Sequence, residues 1–257
     1  MKIIFPAVFE SVWKRKETRI FLAFTFLPLL YFVASFFGNS NFMQISLVDD
    51  YKVGYLSFLD MMVNSADTFM LPILALYFLT ISIFKREADD HTLFLYKDLK
   101  RSDIFWSKYI SLLLILLIYL GLFAVISLLV HYGRVAHLEF GSARLFEDTL
   151  HNTLVTFFTI GTFVLKGVFS ISVATLLCLY FGNGTTLTAA VFVTIALMLM
   201  GVIGGPLAFL LPIGYHDLAT KGMSEFFLAT LGALGTTIIY SLLFSNLAER
   251  RFKDMEF

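Results

Sequence analysis

Cysteine is almost missing from this chain: Cys178 is the single one in 257 residues. One thiol excludes an internal disulfide framework and any cysteine-rich metal site. Charge is scarce too, with Asp, Glu, Lys and Arg making up 15% of the chain against 58% hydrophobic residues. A soluble domain carries about 25% charged residues, so the composition excludes one and points to a membrane. His91, His131, His137, His151 and His216 are scattered, and no H-E-x-x-H or other ligand spacing occurs. A G-x-x-x-x-G-K-[ST] phosphate loop is also missing. Gly182-Asn183-Gly184-Thr185-Thr186 lacks the lysine and joins two apolar runs. Neither a G-x-S-x-G nucleophile turn nor the paired acids of an intramembrane protease is present. These absences leave no catalytic constellation and no metal site. The chain is expected not to be an enzyme in its own right, and nucleic acid is not expected among its partners.

What is present is a series of apolar runs, each near the length that crosses ~30 Å of hydrocarbon. Six are counted, over about 20–37, 65–84, 109–132, 153–181, 185–203 and 226–246. They predict an all-α integral membrane fold, one domain over 1–257. Ahead of them, Phe5, Val8, Phe9, Val12 and Trp13 fall on one helical stripe, with Glu10, Ser11, Lys14, Arg15, Glu17 and Thr18 opposite. That pattern predicts an interfacial helix over about 5–19, opened by Pro6. The bland alternative is an N-terminal extension of the first span. Trp13-Lys14-Arg15-Lys16 precedes the first run and no A-x-A pattern follows it, so a cleaved signal peptide is not expected. Pro28 and Pro72 fall in the first two spans, and the segment up to Asn64 carries Asp49, Asp50 and Asp60. Ser102 with Asp103 reads as an N-cap for the third span. Gly201, Gly204, Gly205, Pro206 and Pro212 interrupt the sequence after the fifth. They predict a re-entrant segment over about 204–217.

Of the 19 lysines and arginines, fourteen fall on the side shared by both termini and the connection between spans two and three. Lys52, Arg134, Arg144 and Lys221 take the other side. The bias predicts cytoplasmic termini. Within the spans Lys166 is the clear ionisable residue, and Asp67 is read at the outer end of the second span. A charge deep in the bilayer costs ~2.5 kcal/mol or more, which favours a Lys166 stem that snorkels to the outer surface. The sharper reading is that Lys166 marks a substrate path, for instance for an anionic head group. Gly201 and Gly205, Ala229 and Ala233, and Gly232 and Thr236 form small-xxx-small pairs, which serve packing within a chain more often than between chains.

The connection over 85–108 is the chain's most basic, with Lys85, Arg86, Lys97, Lys100, Arg101 and Lys108. Leu93, Phe94, Leu95, Tyr96, Ile104, Phe105 and Trp106 sit among these charges. An ordinary basic loop on the positive side accounts for the lysines but not for the apolar residues. A short amphipathic helix at the membrane surface that docks into a cytoplasmic partner accounts for both.

With a flat N-terminal helix, six spans, this connection and a broken segment between spans five and six, the chain resembles the membrane subunits of type-2 class ABC exporters. The likeness in sequence is concentrated in Arg86-Glu87, His91-Thr92-Leu93, Lys100-Arg101-Ser102 and Ser107-Lys108-Tyr109. These stand where the family shows an acidic residue, a Gly-Thr-Leu-like step, a Pro-x-Ser/Arg-like break and a lysine opening the third span. Asp90-His91 replaces the common glycine, and no proline precedes Lys100. The resemblance implies a half-transporter paired with a second permease, a copy or a sister chain, and driven by two cytoplasmic ABC ATPase subunits. ATP and magnesium would sit on those subunits, with no cofactor on this chain. A coupling helix would meet the ATPase through Arg86, Glu87, His91, Thr92, Leu93, Phe94, Tyr96, Lys97 and Arg101. The setting implied is a bacterial cytoplasmic membrane, in contact with its lipid. The cargo implied is amphipathic or hydrophobic, as in small permeases of peptide-antibiotic (bacteriocin-like) export and self-immunity. Lipid-linked glycan or multidrug export is the alternative within the class. Outside it stand a membrane-embedded enzyme and a non-transporting membrane scaffold or channel.

Overall fold

The computed structural model describes residues 4–37, 52–86 and 100–254. Among them every regular element is helical, apart from an isolated bridge between Val53 and Gly141. Helix α1, Phe5–Trp13, has Pro6 in its first turn and buries Val8 and Val12. Its exposed face carries an ion pair between Glu10 and Lys14, one turn apart, and that ammonium holds the Glu10 carboxyl below its ordinary pKa. The amphipathic stripe expected over 5–19 divides here. Arg15 is extended, at φ −65° and ψ 146°, and α2, Lys16–Ala23, starts afresh. The break is held by side chains: Thr18 Oγ1 donates to the Val12 carbonyl at 2.6 Å, and Arg15 donates to the Ser82 carbonyl at 2.7 Å.

Prolines set the next two interruptions. Pro28 has no N–H for the carbonyl four residues earlier, and the chain answers with a 3-10 turn, Phe24–Phe26, before α3, Leu27–Ala34. Helix α4 runs Tyr55–Thr68 and α5 runs Leu71–Ile81, with Pro72 in the first turn of α5. Between them Met70 is left-handed at φ 56°, and the two helices meet at 62°. The second run, expected as one span over 65–84, is therefore a bent pair that begins ten residues earlier. A π-helical turn, Ser82–Arg86, continues α5.

Helices α6 (Arg101–Gly133), α7 (Leu150–Tyr180), α8 (Asn183–Ile203) and α10 (Met223–Asp254) are the long members. At 1.5 Å per residue, 33 residues of α6 reach about 50 Å, more than a bilayer core. Among the described residues five helical stretches are long and apolar enough to cross a membrane, and the bent pair makes six. This is the architecture of a multi-pass membrane protein. Helix α7 is central, with 67% of its most apolar window buried against 22% for α8 and α10. Phe21, Tyr119 and Phe163 stack in sequence and tie α2 to α6 and α7. Ala229 and Ala233 are fully buried beside Phe158 and Phe226, so this small pair serves packing within the chain.

Ser102 does not cap α6. Lys100 occupies the cap position without a side-chain bond, and Ser102 Oγ donates instead to the Glu249 carboxylate, a stronger acceptor. After α8 the expected interruption is present as short turns. Gly204 and Gly205 take φ of 66° and 81°, a region that disfavours any Cβ. Turns Pro206–Leu210 and Pro212–Tyr215 then lead to α9, His216–Ala219. Tyr215 brings this segment down on α10, where a Cβ on Gly232 would lie 2.2 Å from its ring.

Hydrogen bonds define two ends of the bundle. At one, Arg15 meets Ser82, Lys108 Nζ donates to the Ile83 carbonyl at 3.1 Å, and Arg101 donates to the Lys253 carbonyl at 2.6 Å. At the other, Val53 and Tyr55 donate to the carbonyls of Phe140 and Arg144. There Arg134 also reaches Ser35, and His151 meets Thr220.

Candidate functional site

Asp60, Asn64 and Asp67 stand at i, i+4 and i+7 of α4, one stripe of a helix whose Leu56, Leu59, Met62 and Ala66 are buried. Asp67, in the last turn before the break, faces Lys166 on α7. The ammonium lies 2.7 and 2.8 Å from the two carboxylate oxygens. Lys166 keeps 4% of its side-chain surface and Asp67 20%. Lys166 stands near the midpoint of α7, so its stem does not snorkel outward as the cost of a buried charge led us to expect. Its charge is met inside the bundle instead. Asp67 is likewise not at an outer helix end, because α4 places it at the inner corner of the bent pair. A single ion in hydrocarbon is prohibitive, but a two-point hydrogen-bonded pair offsets much of the desolvation.

This pair lines a cavity of about 310 Å³, which extends along α4 and α7 to His216 and Asp217. Its volume falls at the lower end of small-ligand pockets. Helices α4 and α7 give its lining Asp60, Asn64, Thr159 and Thr162, and the end of α8 and a turn after it add apolar Met198, Met200 and Ile213. The threonine hydroxyls donate along their own helix, Thr159 to the Val155 carbonyl at 3.0 Å and Thr162 to the Thr159 carbonyl at 2.6 Å. Their spare capacity is thus that of acceptors. Oδ1 of Asp60 is buried without a hydrogen-bond partner, and among the described residues no cation forms an ion pair with this carboxylate. His216 and Asp217 mark the mouth, where the Asp217 side chain is 93% exposed.

The predicted coupling residues fall differently. Glu87, His91, Thr92, Leu93, Phe94, Tyr96 and Lys97 lie outside the described residues, as does the side chain of Arg86, whose backbone closes the π-helical turn. Arg101 opens α6 and binds the end of α10 through Lys253. Trp106 Nε1 joins Ser102 on Glu249, at 3.2 Å. Lys108, 2% exposed, donates to Ile83 and lies 5.7 and 5.6 Å from the ring centres of Phe84 and Phe252. Both flanks of the charged connection are therefore pinned to one another and to the C-terminal helix.

Sequence reasoning missed Asp60 and Asn64 as cavity residues. The signal was the i, i+4, i+7 spacing with Asp67, hidden because 55–64 was read as part of a connection. Glu249, which gathers Ser102, Trp106 and Lys253, carried no separable signal. Among the described residues no three of His, Cys, Asp and Glu are grouped to hold a metal ion. No family model, no curated protein and no solved structure matches the chain. The functional reading therefore rests on the residues and their geometry.

Proposed function

We propose that this chain is the membrane subunit of an ATP-driven exporter of the type-2 ABC class, working with a second permease and with cytoplasmic ATPase subunits that carry ATP and magnesium. The observation that supports it is the anchoring of the two segments that flank residues 87–99. These flanks, Ser82–Arg86 and the start of α6, are fixed at the bundle end where α1 meets α2 and where α10 terminates. A push received between flanks held this way passes into α5 and α6. Ile83, Phe84 and Phe105 are buried among the core aromatics, so the push reaches the packed interior. Lys85, Lys100 and Arg101 at this end suit an anionic inner leaflet, which supports a reading with both termini in the cytoplasm of a bacterial cell.

In this reading the apolar residues Leu93, Phe94 and Tyr96 dock into a groove on the ATPase, and closure of the ATPase dimer on ATP drives the bundle. The cargo is amphipathic or hydrophobic. Replacing Leu93, Phe94 and Tyr96 together by serine tests it. The chain is expected to insert and accumulate normally while ATP-dependent export of cargo falls by about tenfold or more. Unchanged export by this variant contradicts the proposal.

A further inference from the structure

The cavity has a property that the exporter reading does not require. Beside the donors of Asn64 and His216, it holds acceptors that nothing meets. Lys166 is already held by both oxygens of Asp67, and Thr159 and Thr162 have spent their donors on their own backbone. Asp60 has an oxygen without a donor. Three carboxylates, Asp60, Asp67 and Asp217, line a space that holds one lysine and one histidine. A carboxylate lining a cavity in an apolar bundle calls for a counter-charge or a proton, and the cavity gives a counter-charge a way in. Met198 and Met200 also line it and offer apolar surface to alkyl carbons.

We propose that this cavity binds the primary ammonium group of an amphiphilic ligand, with Asp60 as its counter-ion and the Asp67–Lys166 pair as its floor. Exposed Asp217 at the mouth attracts the cation, Asp60 receives it inside, and the methionines take the adjoining carbons. The volume admits one head group with a few carbons, so the rest of the ligand stays outside the cavity. The inference rests on the exporter reading only for the fate of the ligand, which would then be the cargo or its leading end. Binding itself needs no ATPase.

The test uses the full chain in phosphatidylcholine nanodiscs, carrying Met198→Cys in the cavity lining and Cys178→Ala. The rate at which a small methanethiosulfonate reagent labels position 198 is measured with octylammonium, octanol or octanoate present. Octylammonium is expected to slow labelling by about fivefold, while octanol and octanoate at equal concentration leave it nearly unchanged. Adding Asp60→Asn, which keeps shape and removes charge, is expected to abolish the protection without altering the thermal melt. Equal protection by octanol, protection that survives Asp60→Asn, or no protection by octylammonium each overturns the proposal. Discs that contain phosphatidylethanolamine and no soluble amine identify the source. Protection there assigns the ammonium to bilayer lipid, and its absence, with octylammonium still protecting, assigns it to a soluble amphiphile. Because nothing in the assay involves ATP, its failure leaves the exporter reading standing, and a missing ATPase leaves the cavity site standing.

Discussion

Lys166 and Asp67 lie deep in the bundle, and each makes the other tolerable. Removing one partner strands a charge in an apolar setting, which in buried pairs costs about 3–5 kcal/mol. Asp67→Ala is therefore expected to lower stability by that order in a denaturant titration of the detergent-solubilised protein. Asp67→Leu combined with Lys166→Met, which removes both charges and keeps volume, is expected to recover most of the loss. A double variant as unstable as the single one contradicts the pairing. Lys166 was visible in the sequence as an ionisable residue in a span, but its partner was not. Its partner depended on where α4 begins and bends, and Ser57, Asp60 and Asn64, spaced through the ten residues before 65, made that stretch read as part of a connection and hid the beginning. Asp60 and Asn64 were hidden with it, since their shared helical face exists only once 55–68 is a helix.

At the level of elements, the bend between α4 and α5 positions the pair. Pro72 accounts for part of it, because the carbonyl four residues earlier, that of Thr68, loses its donor. Met70 completes it with a left-handed backbone that disfavours side chains with a Cβ by about 1–2 kcal/mol. Glycine at this position is expected to be tolerated or to raise the melting temperature. Valine, branched at Cβ, is expected to lower it. A melt in which Met70→Val matches the parent and Met70→Gly falls well below it would show that the turn is not left-handed. The prolines were plain in the sequence and marked both interrupted runs. The sharpness of the bend was not, since nothing in Phe69-Met70-Leu71 announces a positive φ. The glycine and proline cluster after α8 was legible because Gly204 and Gly205 adopt the backbone that glycine permits. The stop at Arg15 was not, because it depends on Ser82, 67 residues away.

Over the whole molecule, six apolar runs became five long helical stretches and a bent pair, so the helical membrane architecture was readable from composition and run length. The two bundle ends follow the basic residues. Arg15, Arg101 and Lys253 stand at one, while Arg134 and Arg144 stand at the other. The orientation this implies is testable with Glu10→Cys and Leu145→Cys, each in a Cys178→Ala background. A membrane-impermeant maleimide added to intact cells is expected to label position 145 and spare position 10. The reverse pattern would invert the topology and remove the cytoplasmic setting that the proposed coupling role of residues 85–108 needs. The proposed docking residues Leu93, Phe94 and Tyr96 stand in the sequence only as apolar side chains among charges, because the surface they are proposed to meet would lie on another chain.

Purification of the tagged chain from its native host in mild detergent, followed by an ATPase assay on whatever accompanies it, bears most directly on the exporter reading. The reading predicts a cytoplasmic subunit in stoichiometric amount, with ATP hydrolysis that is lost when Leu93, Phe94 and Tyr96 are serine. A chain that purifies alone without ATPase activity, or an ATPase that accompanies the serine variant equally well and hydrolyses ATP unchanged, contradicts it.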